Sequence, residues 1–393
     1  MTATDYHFEL PPELVAQEPP ARRGDSRLLL VAPGRGPVGE RAFADLPALL
    51  RAGDLLVLNE SRVLPARLFT RRTDTGGKVE LLLVGPTASP RTWQALARPA
   101  RRLRPGLLLA LVTGDGAAAA TLTVAGRDGD GDGLVTVTGD EDPGELARRH
   151  GVMPLPPYIR RAPRDPRAEA DRERYQTVFA AAGAAATRSV AAPTAGLHFT
   201  AATLAALAAA GVATARVQLH VGPGTFQPPS ADQVAARRLH PEVFRLPAAT
   251  AAAVAATRAG GGRIVAVGTT SLRVLETAAR LGLPAAGGPD RRAWPAPGED
   301  EPVFTGSAER RGGHWEVAGT TRLFVAPPDR VTGADGLLTN FHLPGSSLLM
   351  LVAAVAGDPA WRRAYAHAVA ARLRFYSYGD CMLILPGLEE AAP

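Results

Sequence analysis

The sequence predicts an α/β fold, discontinuous along the chain, with a small all-β domain set inside it. Three observations predict this. Between residues 191 and 281, Ala-rich helical stretches alternate with short β-branched runs, the pattern of αβ units. Between residues 67 and 137, six short apolar runs recur about every ten residues, separated by Gly-Gly, Gly-Asp-Gly and Asp-Gly, which suits a small barrel or sandwich. The segment 150–159, HGVMPLPPYI, stacks prolines into a rigid extended connector that returns the chain from the second pattern to the first.

Composition bounds the answer. A chain of 393 residues has room for two domains or one large one. Its hydrophobic fraction of 46% is inflated by Ala, while aromatics are only 5%. No uncharged run of 18 apolar residues occurs, which argues against a membrane span, and the start MTATDYHFELPPEL lacks the basic and apolar regions of a signal peptide. The lone Cys381 excludes an internal disulfide, and no Cys/His spacing suits zinc, so no metal is expected. Cytoplasm is the expected location. A net charge of +6 suits a polyanionic partner, although an Arg-rich composition alone produces the same excess. Among 44 basic residues Lys78 is the only lysine. Either it marks a place where a compact ammonium is wanted, or it is a chance survivor.

In chain order, GDSR at 24–27 precedes an apolar strand; Arg27 either binds an anion or pairs with Asp25. A buried strand at 55–58 ends in Asn59-Glu60-Ser61-Arg62, at the strand end where ligands of α/β folds gather. The six β runs are 67–70, 78–84, 92–97, 107–112, 120–124 and 134–137. The basic loop 98–104, RPARRLR, is either a solvated surface or a phosphate-contacting edge, and the DGDGD of 128–132 lacks the terminal Glu of a calcium loop. A short helix is expected at 144–149. Tyr175 and Gln176 could pack a helix or partner a base.

The helix 201–210, closed by Gly211, and the strand 212–219 are flanked by two His loops. Thr194, Gly196 and His198 precede the helix; His220, Gly222 and Thr225 follow the strand. Glycines there let a ligand approach the main chain, and an imidazole supplies acid/base chemistry near neutral pH. A single His in such a loop is more often an ordinary hydrogen-bonding residue; two bracketing one αβ unit are less ordinary. A helix at 248–258 and a strand at 263–267 follow, then Gly268-Thr269-Thr270-Ser271 opens helix 272–281, a junction suited to an anion. Arg273 and Glu276, three apart, share a face of that helix. Residues 283–319, rich in Pro and Gly, read as an irregular surface excursion. Thr339-Asn340-Phe341-His342 ends another strand in a third His loop, helices follow at 347–356 and 361–372, and Asp380 follows a Gly, either as a cap or as a group facing a site.

These motifs resemble, in order and over nearly the whole chain, those of the S-adenosylmethionine:tRNA ribosyltransferase-isomerase family. The wording that carries the resemblance is APTAGLHFT, LHVGPGTFQP, GGKVE, MPLPPYI, YQTVF, GTTSLRVLE and RFYSYGDCM. Departures stand at Arg188, Arg237 and 326–329. The resemblance implies a discontinuous α/β barrel-like domain, residues 1–66 and 152–393, around an inserted small β-barrel domain at 67–151. It implies transfer and isomerisation of the ribosyl part of S-adenosylmethionine onto 7-aminomethyl-7-deazaguanine at the tRNA wobble position, giving epoxyqueuosine and releasing adenine and methionine.

On that resemblance S-adenosylmethionine is consumed as a co-substrate and no cofactor is required. Catalysis would fall to His198, His220, His342 and Glu276. Substrate contacts would fall to Asn59, Arg62, Tyr175, Gln176, Thr194, Gly196, Gly222, Thr225, Thr269, Thr270, Ser271, Arg273, Asn340 and Asp380, with Lys78 and the loop 98–104 meeting tRNA phosphate. A monomer is expected. Two other classes stay open: a paralogue using the same ribosyl chemistry on a free deazapurine nucleoside or other small acceptor, and a non-catalytic nucleotide- or RNA-binding relative.

Overall fold

The computed structural model describes residues 3–113, 116–127, 133–162, 165–183, 187–222, 224, 229–283, 290–294 and 302–388. The chain divides into two compact units, one of Met1–Ser61, Thr177–Ala180 and Pro193–Pro393, the other of Arg62–Gln176 and Ala181–Ala192. The architecture is mixed α/β, with one large sheet and one closed β-barrel.

The first unit is built on an eleven-stranded sheet. Its order is Arg291–Trp294, Phe304–Arg311, His314–Leu323, Arg238–Leu246, Ala213–Leu219, Leu55–Asn59, Ile264–Val267, Gly336–Asn340, Cys381–Ile384, Arg27–Ala32 and Gly36–Ala42. Four neighbours in the middle, from Ala213–Leu219 to Gly336–Asn340, run parallel. The reason is legible in the residues. Leu55–Asn59 reads LLVLN and Ile264–Val267 reads IVAV, both buried throughout, as parallel strands covered on both faces must be. Helix Gly268–Arg280 packs across all four of these strands.

Local chemistry sets the helix ends. The Thr200 hydroxyl accepts from the Thr203 N–H (3.0 Å) to open helix Ala201–Ala209, and Gly211, at φ +75°, closes it. Ser346 caps helix Ser347–Ala356 in the same way. Gly268 takes φ +85° between the strand Ile264–Val267 and its helix, a conformation in which a Cβ is strained.

The described residues of 283–319 are not an irregular excursion. Within them and just beyond, Phe304–Arg311 and His314–Leu323 form a long antiparallel hairpin, with Arg291–Trp294 beside it. The turn is Gly312-Gly313, with φ +58° and +82°, the left-handed pair that a two-residue hairpin requires. That Gly-Gly, flanked by alternating runs, was the available signal. The strand Arg238–Leu246 also joins this part of the sheet.

The second unit contains the closed barrel, in the order Leu134–Gly139, Thr92–Arg98, Lys78–Pro86, Arg67–Arg72, Leu108–Val112 and Ala118–Arg127. Every neighbouring pair is antiparallel. Alternation is plain in Thr92–Arg98, where Trp93, Ala95 and Ala97 are buried between more open positions. Helix Pro143–His150 packs on this barrel; Asp142 caps it and accepts from Trp93 Nε1 (3.1 Å). The acidic run 128–132 lies outside the described residues.

Candidate active site

In the first unit, Asn59, Leu219 and Asn340 end three of the parallel strands at one edge, and Val267 there passes into helix Gly268–Arg280. Polar side chains and helix N-termini collect at such an edge because the sheet no longer uses them.

One cluster centres on His198, which lies in the buried 3-10 helix Thr194–His198 rather than at a strand end. Its Nδ1 is 2.8 Å from Ser26 Oγ and its Nε2 is 3.1 Å from Asn340 Nδ2. The Phe43 ring lies 5.3 Å from the imidazole. Burial lowers the His198 pKa to about 4, opposed by the Asn340 hydrogen bond and helped by smaller contributions from the cations Arg374 and Arg23. On the loop after Asn340, His342 Nε2 is 2.8 Å from Thr339 Oγ1, and its backbone N–H donates to Tyr365 Oη (3.0 Å). Burial holds the His342 pKa at about 3. Both rings are therefore neutral at pH 7, able to donate and accept but not to act as cations. Tyr365 also lines a cavity of about 410 Å³ with His7, Phe8, Glu9 and Trp361.

A second cluster lies around the strand Ala213–Leu219. Asn59 clamps its end: Nδ2 donates to the Leu219 carbonyl (3.0 Å), while Oδ1 accepts from the Leu219 and Ser61 amides (both 3.1 Å). The His220 N–H donates to the Val243 carbonyl (2.9 Å), and the Gly222 N–H donates to Glu242 Oε1 (3.3 Å). Glu242 also pairs with Arg273, both buried, and Arg273 Nε donates to the Leu323 carbonyl (3.2 Å). Arg273 thus faces Glu242 rather than Glu276. Glu276 accepts from the Thr332 and Gly333 amides (both 2.8 Å) and pairs with Arg280, so it anchors the turn at 332–333. Asp380 accepts from the Arg27 and Arg374 amides (both 2.8 Å), which gives it a cap's role.

Small residues bring the elements into contact. A Cβ on Gly196 would lie 2.7 Å from the Phe179 ring and 2.8 Å from Thr177 Cγ2. One on Gly268 would lie 3.5 Å from Ala195 and 3.6 Å from Thr270 Oγ1. Gly196→Ala is expected to destabilise by about 1–3 kcal/mol through overpacking, read as the urea midpoint. An unchanged midpoint would mean that the 177–179 segment yields freely.

Several buried polar atoms here lack a hydrogen-bond partner among the described residues: Thr177 Oγ1, Arg216 Nη1, Thr270 Oγ1, Ser271 Oγ and Asn340 Oδ1. Arg216 lies 5.1 Å over the Phe179 ring, and burial lowers its pKa. Unsatisfied groups are costly in a finished interior, and their gathering near one edge suits a ligand that supplies the partners. Thr269 is buried in the same helix turn. Sequence reasoning passed over Ser26, Arg216 and Glu242 as site residues. Only the GDSR wording at 24–27 pointed at Ser26, and residues 239–242, LHPE, hold a His two residues before Glu242; a lone Arg in a β run carried no signal.

Thr225 lies outside the described residues, as does the side chain of Arg188. In the second unit, Arg62 Nε donates to the Ala181 carbonyl (2.9 Å). Gln176 grips Val63 at both its N–H (3.1 Å) and its carbonyl (2.8 Å), Tyr175 is fully buried, and Lys78 is exposed at a barrel strand's start. Two departures from the family wording compensate each other in the first unit. Arg237 Nη2 donates to the Ala326 carbonyl (3.1 Å) and to Asp329 (2.6 Å), so residues 237 and 326–329 form one packed unit.

The family described as "Queuosine biosynthesis protein" matches residues 3–384. The chain belongs to that family. An S-adenosylmethionine:tRNA ribosyltransferase-isomerase of Anaeromyxobacter sp. (strain Fw109-5) is 47% identical over 387 residues, covering 98% of this chain and 99% of the relative. One of Geobacter metallireducens is 44% identical over 98% of this chain and 100% of its own length. The crystal structure of S-adenosylmethionine tRNA ribosyltransferase from Thermotoga maritima is similar with a TM-score of 0.50 at 33% identity, over 97% of this chain and 100% of that one. Among the described residues, no helix is long and apolar enough to cross a membrane, and no group of three or more His, Cys, Asp and Glu could hold a metal ion.

Proposed function

We propose that the protein is an S-adenosylmethionine:tRNA ribosyltransferase-isomerase. It transfers and isomerises the ribosyl moiety of S-adenosylmethionine onto 7-aminomethyl-7-deazaguanine at the wobble position of tRNA, releasing adenine and methionine. The observation that carries this reading is full-length similarity, from 47% down to 43% identity, to relatives bearing that name. The polar edge of the sheet supports it with two features the reaction uses: neutral imidazoles, and unsatisfied donors and acceptors.

The roles follow from the chemistry. A sulfonium makes the neighbouring C5′ acidic and leaves as a neutral thioether, so the chain must supply a proton acceptor near that carbon and donors to the departing adenine. His342 and His220, on loops that follow parallel strands, take the proton-handling role; Thr269, Thr270 and Ser271 at the helix start, with Thr194, Gly196 and Gly222, contact nucleoside and carboxylate. S-adenosylmethionine is consumed, and we assign no resident cofactor. Exposed Lys78 and the exposed arginines 98, 101, 102 and 104 of the second unit suit tRNA phosphate. We read residues 67–151 as a barrel insert in a catalytic domain of 1–66 and 152–393, acting as a cytoplasmic monomer.

Adenine release from S-adenosylmethionine, with and without tRNA carrying the aminomethyl-deazaguanine base, tests the reading. Release is expected only with that tRNA, and His342→Ala is expected to lower it about 100-fold or more. No release with the modified tRNA would overturn the reading. Turnover above about half of wild type in both His198→Ala and His342→Ala would overturn the assignment of residues.

A further inference from the structure

Ser26, His198 and Asn340 stand in a line that invites comparison with a nucleophile, a base and an orienting amide, but the polarity of the line runs the other way. Asn340 Nδ2 points at two backbone carbonyls, Tyr376 O (3.0 Å) and Asp380 O (3.4 Å), as well as at His198 Nε2 (3.1 Å). Turning the amide over would set its oxygen against both carbonyls, so the nitrogen is fixed in place and donates. Tyr376 holds a left-handed φ of +72° in this arrangement, a backbone cost typical of sites where one direction matters. The two amide hydrogens are shared among three acceptors, and a hydrogen on His198 Nε2 would face an amide nitrogen that cannot accept it, so Nε2 is the acceptor. The ring hydrogen then sits on Nδ1 and is given to Ser26 Oγ, 2.8 Å away. Ser26 is 1% exposed, and no acceptor for its own hydrogen occurs among the described residues.

We propose that Asn340 locks His198 in the neutral Nδ1–H tautomer, so that the line delivers the Ser26 hydroxyl hydrogen to a nucleoside acceptor of the substrate instead of activating Ser26 as a nucleophile or His198 as a base. Asn340 and His198 are then positioning residues, and Ser26 is the group that touches substrate. Asn340 Oδ1, buried and without a partner among the described residues, is a second acceptor beside the same site. The charges acting on the ring are consistent with this. Arg23, whose Nη1 donates to the Leu197 carbonyl (3.1 Å), and Arg374 are both cations that disfavour a second ring proton. The Asp380 carboxylate is taken up by backbone amides of Arg27 and Arg374. The role of Ser26 rests on the proposed function; the tautomer does not.

Histidine-selective 15N NMR on the ligand-free, full-length protein reads the tautomer directly, with the His198 signals assigned by their loss in His198→Gln. The expected pattern is a protonated-type Nδ1 and a bare Nε2. The reverse pattern overturns the proposal whatever the enzyme's activity. Asn340→Asp places an acceptor opposite Nε2 and is expected to move a hydrogen onto that nitrogen; an unchanged pattern in a folded variant overturns the lock. Ser26→Ala, a small change that keeps the core filled, is expected to retain the wild-type tautomer while kcat/KM for adenine release falls at least about tenfold. A tautomer that flips in Ser26→Ala, or turnover that stays at the wild-type level, overturns it. Absence of adenine release from wild type would remove the functional reading and leave the NMR result standing.

Discussion

Glu242→Gln is expected to be among the most destabilising single changes in the first unit, by about 3–5 kcal/mol. Glu242 and Arg273 are buried together, with side chains 6% and 7% exposed. Arg273 donates through Nε to the Leu323 carbonyl, but its Nη2 is buried without a hydrogen-bond partner among the described residues. Removing the carboxylate's charge therefore leaves a guanidinium in a low-dielectric interior with no counter-ion. That penalty exceeds anything the intact pair contributes over an apolar replacement. The same substitution alters the acceptor of the Gly222 N–H, so the loop after His220 should loosen as well. Urea unfolding measures the first effect and adenine release the second. The double change Glu242→Gln with Arg273→Met should recover much of the lost stability, because it removes the orphaned charge. A loss below about 1 kcal/mol in the single variant would show that water reaches Arg273.

Mild acid is expected to cost nearly as much. His198 and His342 are held by burial at about 4 and about 3, against 6.5 for the free imidazole. The unfolded chain takes up these two protons as pH falls through 6.5, while the folded chain refuses them until pH is far lower. Stability is therefore full above about pH 6.5 and declines as pH drops. Between pH 6.5 and 5 each ring forfeits on the order of 2 kcal/mol, before most carboxylates titrate. Thermal melts at pH 7, 6 and 5 should fall steeply, and His198→Gln or His342→Gln should flatten the slope. A melting temperature constant from pH 7 to 5 would mean that both rings are charged or solvated in the native state.

Residue pattern alone was enough to place the buried strands at 55–58 and 263–267, the helix ends and the six β runs of the inserted domain, while leaving barrel and sandwich open. LLVL and IVAV are apolar at every position because both faces are covered; Thr200, Ser346 and Gly211 act on their own turns; Thr92–Arg98 alternates because one face is buried. Such signals are local, so no partner has to be known. The family wording likewise covered His198 and the His220–Gly222 loop, and Asn340 was noted at a strand end beside a third His. The hairpin of Phe304–Arg311 and His314–Leu323 escaped because its glycines and polar faces resemble a loop until a neighbouring strand pairs with them.

Roles were decided only by tertiary structure. Glu276 reads as a reactive group and Asp380 as either a cap or a site group in one dimension, yet Glu276 satisfies the amides of Thr332 and Gly333 and Asp380 those of Arg27 and Arg374. Ser26, far away in sequence, became the partner of His198, and two carbonyls from another loop set the direction of the Asn340 amide. Sequence determines which side chains can donate, accept or ionise. Which of them are already satisfied, and hence which remain for a substrate, depends on distances of about 3 Å between residues hundreds of positions apart, and those exist only once the chain has folded.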